Sequence, residues 1–317
     1  MKIRPKKRVL IGILLIILLG FGILNFVAAS HASKFTHFKN NNLNQSYTQK
    51  NQVSFSQLIL GIDLSKPLND SIDLDFVEVD TIIGIENLEI WRLNMEPSLG
   101  VVALFHGYHA TKSSLWPEAL AFYRMGYSVI LVDFRSSGNS TGNTCTLGYF
   151  EAEDVKSTYD YCRENYPDKN IFLYGSSMGA AAIARSVAQL KIEPEGILLQ
   201  SSFPSMLSAV QQRFKMQGIP PFPSAQLVTF WGGYLNGFNA FRHNPVEYAP
   251  YITCPTLVIH GLLDDRVSYE ESKHIYTQIS GPKQLAVFGN SGHESILNKE
   301  EANWIYLVTN FMETHNH

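Results

Sequence analysis

Hydrophobic positions follow distinct patterns along this chain. A near-continuous apolar run extends from Val9 to Ala29. Short apolar blocks follow at Val101–Phe105, Ser128–Val132, Ile171–Tyr174, Gly196–Leu199 and Thr256–Ile259. Strands buried on both faces of a parallel sheet read this way. Gln284–Phe288 has the same strand character. Asp73–Val79 and Leu88–Leu93 alternate, which predicts an antiparallel pair at one sheet edge. Helical spacing occupies Leu115–Met125, Tyr149–Asn165, Ala180–Leu190 and Glu300–His315. Strands alternating with helices predict an α/β fold with a mostly parallel, doubly wound sheet. Its ligands belong at the carboxyl ends of the strands.

The stretch from Phe203 to Tyr251 breaks this alternation. It is rich in aromatics (Phe222, Phe230, Trp231, Tyr234, Phe238, Phe241) and lies between the sixth and seventh predicted strands. A long irregular connection inside a compact domain is usually functional or helical in its own right. The expectation is a small cap at 203–251, with most of its aromatics packing it onto the body.

The apolar run is preceded by Lys2, Arg4, Lys6, Lys7 and Arg8. Its length suffices to cross a bilayer, and the cations mark the cytoplasmic side. This predicts a cytoplasmic segment 1–8 and a transmembrane anchor at 9–29. An asparagine-rich tether follows at 30–52, then one domain at 53–317 outside the cytoplasm. The competing reading is a secreted protein whose signal peptide is cleaved near Ala29 or Ala32. In the anchored reading the helix only holds the domain at the membrane.

The chain has 317 residues, is 45% hydrophobic and carries a formal charge of −3. No downstream block of Lys or Arg stands out, so nucleic acid is not an expected partner. Cys145, Cys162 and Cys254 are not spaced as a metal site. Three isolated thiols are the preferred reading, with one disulfide as the alternative in an exported protein.

The chemistry concentrates at Gly175-Ser176-Ser177-Met178-Gly179, between an apolar block and a small-residue helix. Strand, tight Gly-x-Ser-x-Gly turn and helix together form the layout of a nucleophile elbow, with Ser177 as nucleophile. A serine hydroxyl needs a base, and a carboxylate to orient that base. Downstream, a strand ending at His260-Gly261 opens into a loop carrying Asp264 and Asp265. A later strand leads to Gly292-His293. The order Ser, Asp, His is that of hydrolases with such an elbow. The residue after the nucleophile, Met178, is expected to give one backbone N–H to an oxyanion hole. His106 and His109 are not read as metal ligands, because no Cys, Asp or Glu cluster completes a site.

Five segments in this order resemble the α/β-hydrolase superfamily. They are Leu104-Phe105-His106-Gly107-Tyr108, the Asp133–Ser140 turn, the elbow, His260-Gly261-x-x-Asp264-x-x-Val267, and Gly292-His293. The chain is most similar to bacterial membrane-anchored or exported hydrolases of the serine-aminopeptidase-like and lysophospholipase-like group. Ser136 or Ser137 stands where that family commonly has glycine. The resemblance implies Asp264 rather than Asp265 as the triad acid. It also implies Tyr108 as the second backbone donor and a loop-shaping role for His106.

The implied activity is cleavage of an ester or thioester, lipid-derived in the favoured case, through an acyl-enzyme and without cofactor or metal. An exported serine peptidase is the alternative enzyme. A non-catalytic binding module on the same fold is the alternative outside catalysis.

Overall fold

The computed structural model describes residues 5–40, 60–72 and 76–316. In chain order it contains α1 (Pro5–Thr36), β1 (Glu78–Ile82), β2 (Leu88–Leu93), β3 (Val101–Phe105), α2 (Trp116–Arg124) and β4 (Ser128–Val132). Then come α3 (Glu151–Asn165), β5 (Ile171–Ser176), α4 (Met178–Leu190), β6 (Gly196–Gln200), α5 (Met206–Met216) and α6 (Ser224–Leu235). The last elements are α7 (Pro245–Tyr248), β7 (Thr256–Gly261), α8 (Tyr269–Gln278), β8 (Lys283–Phe288) and α9 (Glu301–His315).

The strands form one sheet in the order β1-β2-β4-β3-β5-β6-β7-β8. β1, β2 and β4 pair antiparallel, and the remaining neighbours are parallel. β3 explains the continuous apolar blocks. Val101, Ala103 and Phe105 enter the core shared with α3, α4 and α8, whereas Val102 and Leu104 enter the core under α2 and α9. Burying each Val, Leu or Phe side chain contributes about 1.5–3 kcal/mol relative to exposure, so both faces must be apolar.

Register sets the working edge of the sheet. Phe105 pairs with Gly175, and Gly261 pairs with Phe288. The chain therefore leaves β3, β5, β7 and β8 at the same edge of the sheet, with β6 between β5 and β7, and the four loops that carry the expected chemistry emerge along that edge.

Two expectations need correction. The first edge strand is Glu78–Ile82, not Asp73–Val79, and residues 73–75 lie outside the described residues. Its place is fixed by pairing with β2 and by the Glu78–Arg92 ion pair (2.6 Å), not by alternation of apolar residues.

The second correction concerns the segment after the apolar run. α1 continues to Thr36 and does not give way to a tether at residue 30. Ala28, Ala32 and Thr36 recur one helical turn apart and are buried against the body. Beyond the helix, the Phe38 and Cys145 N–H groups donate to Asn143 and Thr36 carbonyls at 2.8 Å, and Phe38 enters the core. Residues 41–52 of the expected tether, with Lys2 and Arg4, lie outside the described residues.

α5, α6 and α7 fill the connection between β6 and β7. α5 starts on Ser205, whose hydroxyl caps the Ser208 N–H. It is tied to the loop after β7 by Gln212, which donates to the Asp265 carbonyl (2.8 Å). α6 crosses α1: the Trp231 indole donates to the Asn25 side chain (3.2 Å) and the Asn236 amide to the Thr36 hydroxyl (3.2 Å).

Candidate active site

Ser177 sits between β5 and α4 at φ +52°, ψ −106°. L-residues rarely adopt this conformation, and holding one there costs on the order of 1–3 kcal/mol. The surrounding backbone enforces it. The Ser177 N–H donates to the Gln200 carbonyl at the end of β6 (2.8 Å). A Cβ on Gly175 would collide with the backbone of Gly179 and Ala180, and one on Gly179 with the Phe105 carbonyl. The two glycines thus let the elbow close against β3.

The hydroxyl so presented meets an imidazole. His293 Nε2 lies 3.1 Å from Ser177 Oγ, and His293 Nδ1 lies 2.8 Å from Asp264 Oδ2. Asp264's side chain is inaccessible to solvent. Its second oxygen accepts the Arg266 and Val267 N–H groups (2.8 and 2.9 Å). Burial alone would raise the Asp264 carboxyl. The hydrogen bond and charge of His293, with the two backbone donors, outweigh burial and hold it below the usual carboxylate range. Asp265 is exposed.

The expected donors of an oxyanion hole lie on the two segments that flank Ser177. Met178 opens α4, so its N–H belongs to a first turn that has no intrahelical acceptor. On the other side, a Cβ at Gly107 would be 3.6 Å from that of Ser177, which puts the Gly107–Tyr108 turn beside the serine. His106 shapes that turn from a fully buried position. Its Nε2 accepts the Phe134 N–H (3.2 Å), which leaves the proton on Nδ1 to donate to the Gly107 carbonyl (2.8 Å). Burial lowers its pKa and favours this neutral form.

Buried Asp133 ties the turn after β4 to the loop after β3. Its carboxylate accepts the Lys112 N–H (2.9 Å) and the Asn139 N–H (3.2 Å), and it pairs with the Lys112 ammonium. Within that turn Ser136 stands at φ +65°, a left-handed conformation that glycine adopts more readily than serine.

Sequence reasoning missed several groups around the site. Tyr108 stacks on Phe35 of α1, with ring centroids 4.4 Å apart. Glu118 is buried beneath the histidine loop and accepts the Ser295 hydroxyl (2.6 Å). Burial raises its carboxyl pKa. An acid on the stripe of α2 that also carries Phe122 was a legible signal for Glu118. No pattern in the sequence pointed from Phe35 to Tyr108.

An open recess of about 490 Å³ borders His293 and is lined by Leu263, Asp265, Arg266 and Glu294. A buried apolar cluster of Leu147, Ala181, Phe203, Met206, Ala240 and Val267 has Phe35 and Tyr108 packed against it.

Comparison with known proteins agrees with this architecture. The family model "Serine aminopeptidase, S33" matches residues 96–220, which carry the Tyr108 turn and the elbow but stop short of Asp264 and His293. The Bacillus subtilis protein YqkD is 23% identical over 62% of this chain and 65% of its own. The lysophosphatidylserine lipase ABHD12 of Xenopus tropicalis is 23% identical over 63% of this chain and 52% of its own. The chain thus spans less than two-thirds of either relative's length. Among solved structures, the Pyrococcus furiosus esterase Pf2001 superposes with a TM-score of 0.65 at 22% identity, covering 79% of this chain and 99% of that one. With the sheet order, the elbow and these likenesses together, the chain has the α/β-hydrolase fold, and over residues 96–220 it is similar to the serine aminopeptidase family.

Proposed function

We propose that the protein is a membrane-anchored serine hydrolase that cleaves a carboxylic ester or thioester with an apolar acyl group. The observation that carries this reading is the unbroken line from Ser177 Oγ through His293 to Asp264, at 3.1 and 2.8 Å. Ser177 Oγ attacks the carbonyl carbon while His293 Nε2 takes its proton. Negative charge on the carbonyl oxygen meets the Met178 and Tyr108 N–H groups. The carbon–oxygen or carbon–sulfur bond then breaks, His293 returns the proton to the leaving group, and the acyl group stays on Ser177. Water attacks in turn with His293 again as base, releasing the acid. Asp264 holds the imidazole in the required tautomer and balances its transient charge.

The apolar cluster against which Tyr108 packs supports a hydrocarbon acyl chain. The lysophosphatidylserine lipase among its relatives supports a lipid-derived substrate. α5, α6 and α7 act as the cap in this reading. Among the described residues one helix, spanning Val9–Thr36, is long and apolar enough to cross a membrane, which supports the anchor. The cations before it favour a catalytic domain outside the cytoplasm. A peptidase that grips a substrate amine needs carboxylates in its cap, and Glu247 is the sole acidic residue between β6 and β7.

The test is a paired assay on p-nitrophenyl esters of rising chain length and on aminoacyl anilides. Ester turnover that rises with chain length and vanishes in Ser177→Ala is the expected result. Turnover confined to the anilides would make the protein a peptidase.

A further inference from the structure

We propose that the aromatic face of α6, together with the turn leading into it, is a bilayer-contact surface lying in the interfacial layer of the membrane that α1 crosses. This rests on the membrane-anchored reading above.

The polarity of α6 is inverted relative to a helix on a water-facing surface. Its buried positions are the small residues Ala225, Thr229 and Gly233. Leu227, Val228 and Trp231 are half-buried, and Phe230, Tyr234 and Leu235 face outward. Phe230 and Tyr234 are 48% and 68% exposed, and Phe222 just before the helix is 76% exposed. Phe230, Trp231 and Tyr234 form one mutual cluster, with ring centroids 5.4 to 6.0 Å apart. A contiguous exposed aromatic patch of this kind marks a contact surface, because leaving it in water forgoes the free energy of burial.

Charge marks the same stretch. From Met216 to Phe241 the chain has no Asp, Glu, Lys or Arg. Arg213 and Lys215 stand immediately before it and Arg242 immediately after, all exposed. An uncharged aromatic segment bracketed by cations suits the boundary between acyl chains and anionic headgroups.

Position commits the surface to lipid. Trp231 is hydrogen-bonded to Asn25, inside the apolar run of α1. The helix from Val9 to Phe26 is exposed along almost its whole length. That run is about 27 Å long, close to the roughly 30 Å thickness of a bilayer core. A membrane that covers α1 up to Phe26 therefore reaches the Phe230–Tyr234 cluster beside Asn25. The patch continues the apolar surface of α1.

The experiment uses the full chain carrying Cys254→Ser, reconstituted into vesicles of phosphatidylcholine and phosphatidylglycerol. An environment-sensitive fluorophore is attached in turn at Phe230→Cys, Tyr234→Cys and, as the reference, Tyr306→Cys. Tyr306 is exposed on α9, which packs on the other face of the sheet. Nitroxide-labelled lipids serve as quenchers, and alkaline carbonate extraction reports whether α1 is inserted. Several-fold stronger quenching at 230 and 234 than at 306, in protein that resists extraction, is the expected result. Equal quenching at all three positions in extraction-resistant protein would overturn the surface and leave the anchor standing. Release by carbonate would overturn the anchor and the surface together. Shielded labels without lipid quenching, in protein that sediments as a dimer, would give the face to a second copy of the chain.

Discussion

The hydroxyl of Tyr108 donates to the backbone carbonyl of Phe35 at 2.7 Å, and the two rings stack with an interplanar angle of 15°. The end of the apolar helix thereby holds the side chain of the residue proposed to give its N–H to the oxyanion. The helix is more than a leash.

Trimming the N-terminus should therefore have a graded effect. A chain beginning at Leu24 retains Ala28, Ala32 and Phe35 and is expected to keep turnover within a few-fold of the full chain in detergent. A chain beginning at Lys39 loses the stack and the hydrogen bond, together worth about 2 kcal/mol, and the buried Phe38 as well. Its kcat is expected to fall about tenfold or more. Removing residues 1–32, which the sequence alone marks as dispensable, deletes Ala28 and Ala32 and should fall between the two. Steady-state assays on the three chains check the order.

Asp264→Asn should damage catalysis far more than Asp265→Asn. Asp264 accepts from His293, while Asp265 is exposed. An amide at 264 cannot balance the imidazolium and favours the wrong tautomer, a loss of about 10³–10⁴ in kcat. Asp265→Asn should stay within a few-fold. Comparison of kcat for the two variants decides which carboxylate is used.

Two helical glycines should respond oppositely to alanine. At Gly179 the new methyl overlaps the Phe105 carbonyl, and nothing there can yield without moving β3. Gly179→Ala should lose several kcal/mol or fail to fold. At Gly232 no heavy atom lies within 4 Å of the new methyl. Gly232→Ala should be neutral or stabilising by up to about 1 kcal/mol through helix propensity. Thermal melting distinguishes the two.

The sheet and the elbow were legible in the sequence because both rest on local signals. Strands buried on two faces must be apolar throughout, and a serine held at positive φ needs small neighbours. The loops bearing Asp264 and His293 were legible because each follows directly on a strand. Tertiary contacts were not legible. α1 was expected to end near Ala29, yet Ala28, Ala32 and Thr36 pack on the body, a stripe too small and polar to stand out beside the apolar run. β1 was misplaced because its register comes from pairing with β2. Between β6 and β7 the aromatic excess was visible, but not that small residues would turn inward and Phe230 and Tyr234 outward along α6.

His243 predicts a dependence of stability on pH. It is fully buried between the Leu147 carbonyl (2.9 Å) and the Tyr248 hydroxyl (3.2 Å). Burial pushes its pKa down to about 4, against the opposing effect of the Leu147 carbonyl. The folded state thus favours the neutral ring. Above the ordinary histidine value both states are neutral and the stabilisation is complete. As pH falls from about 6.5 to 4 the unfolded chain takes up the proton first, and up to about 3 kcal/mol is lost. In His243→Gln the urea midpoint should fall less steeply over this window than in the wild type. Parallel curves would assign the acid sensitivity to other groups.

The central claim is that Ser177 is a nucleophile activated by His293. The most direct measurement is intact-mass analysis after treatment with a fluorophosphonate, followed by mapping of the modified peptide. One adduct is expected on Ser177 in the wild type, none at that position in Ser177→Ala, and formation slowed by orders of magnitude in His293→Ala. Folded wild-type protein that stays unmodified, or an adduct on any other residue, would contradict it.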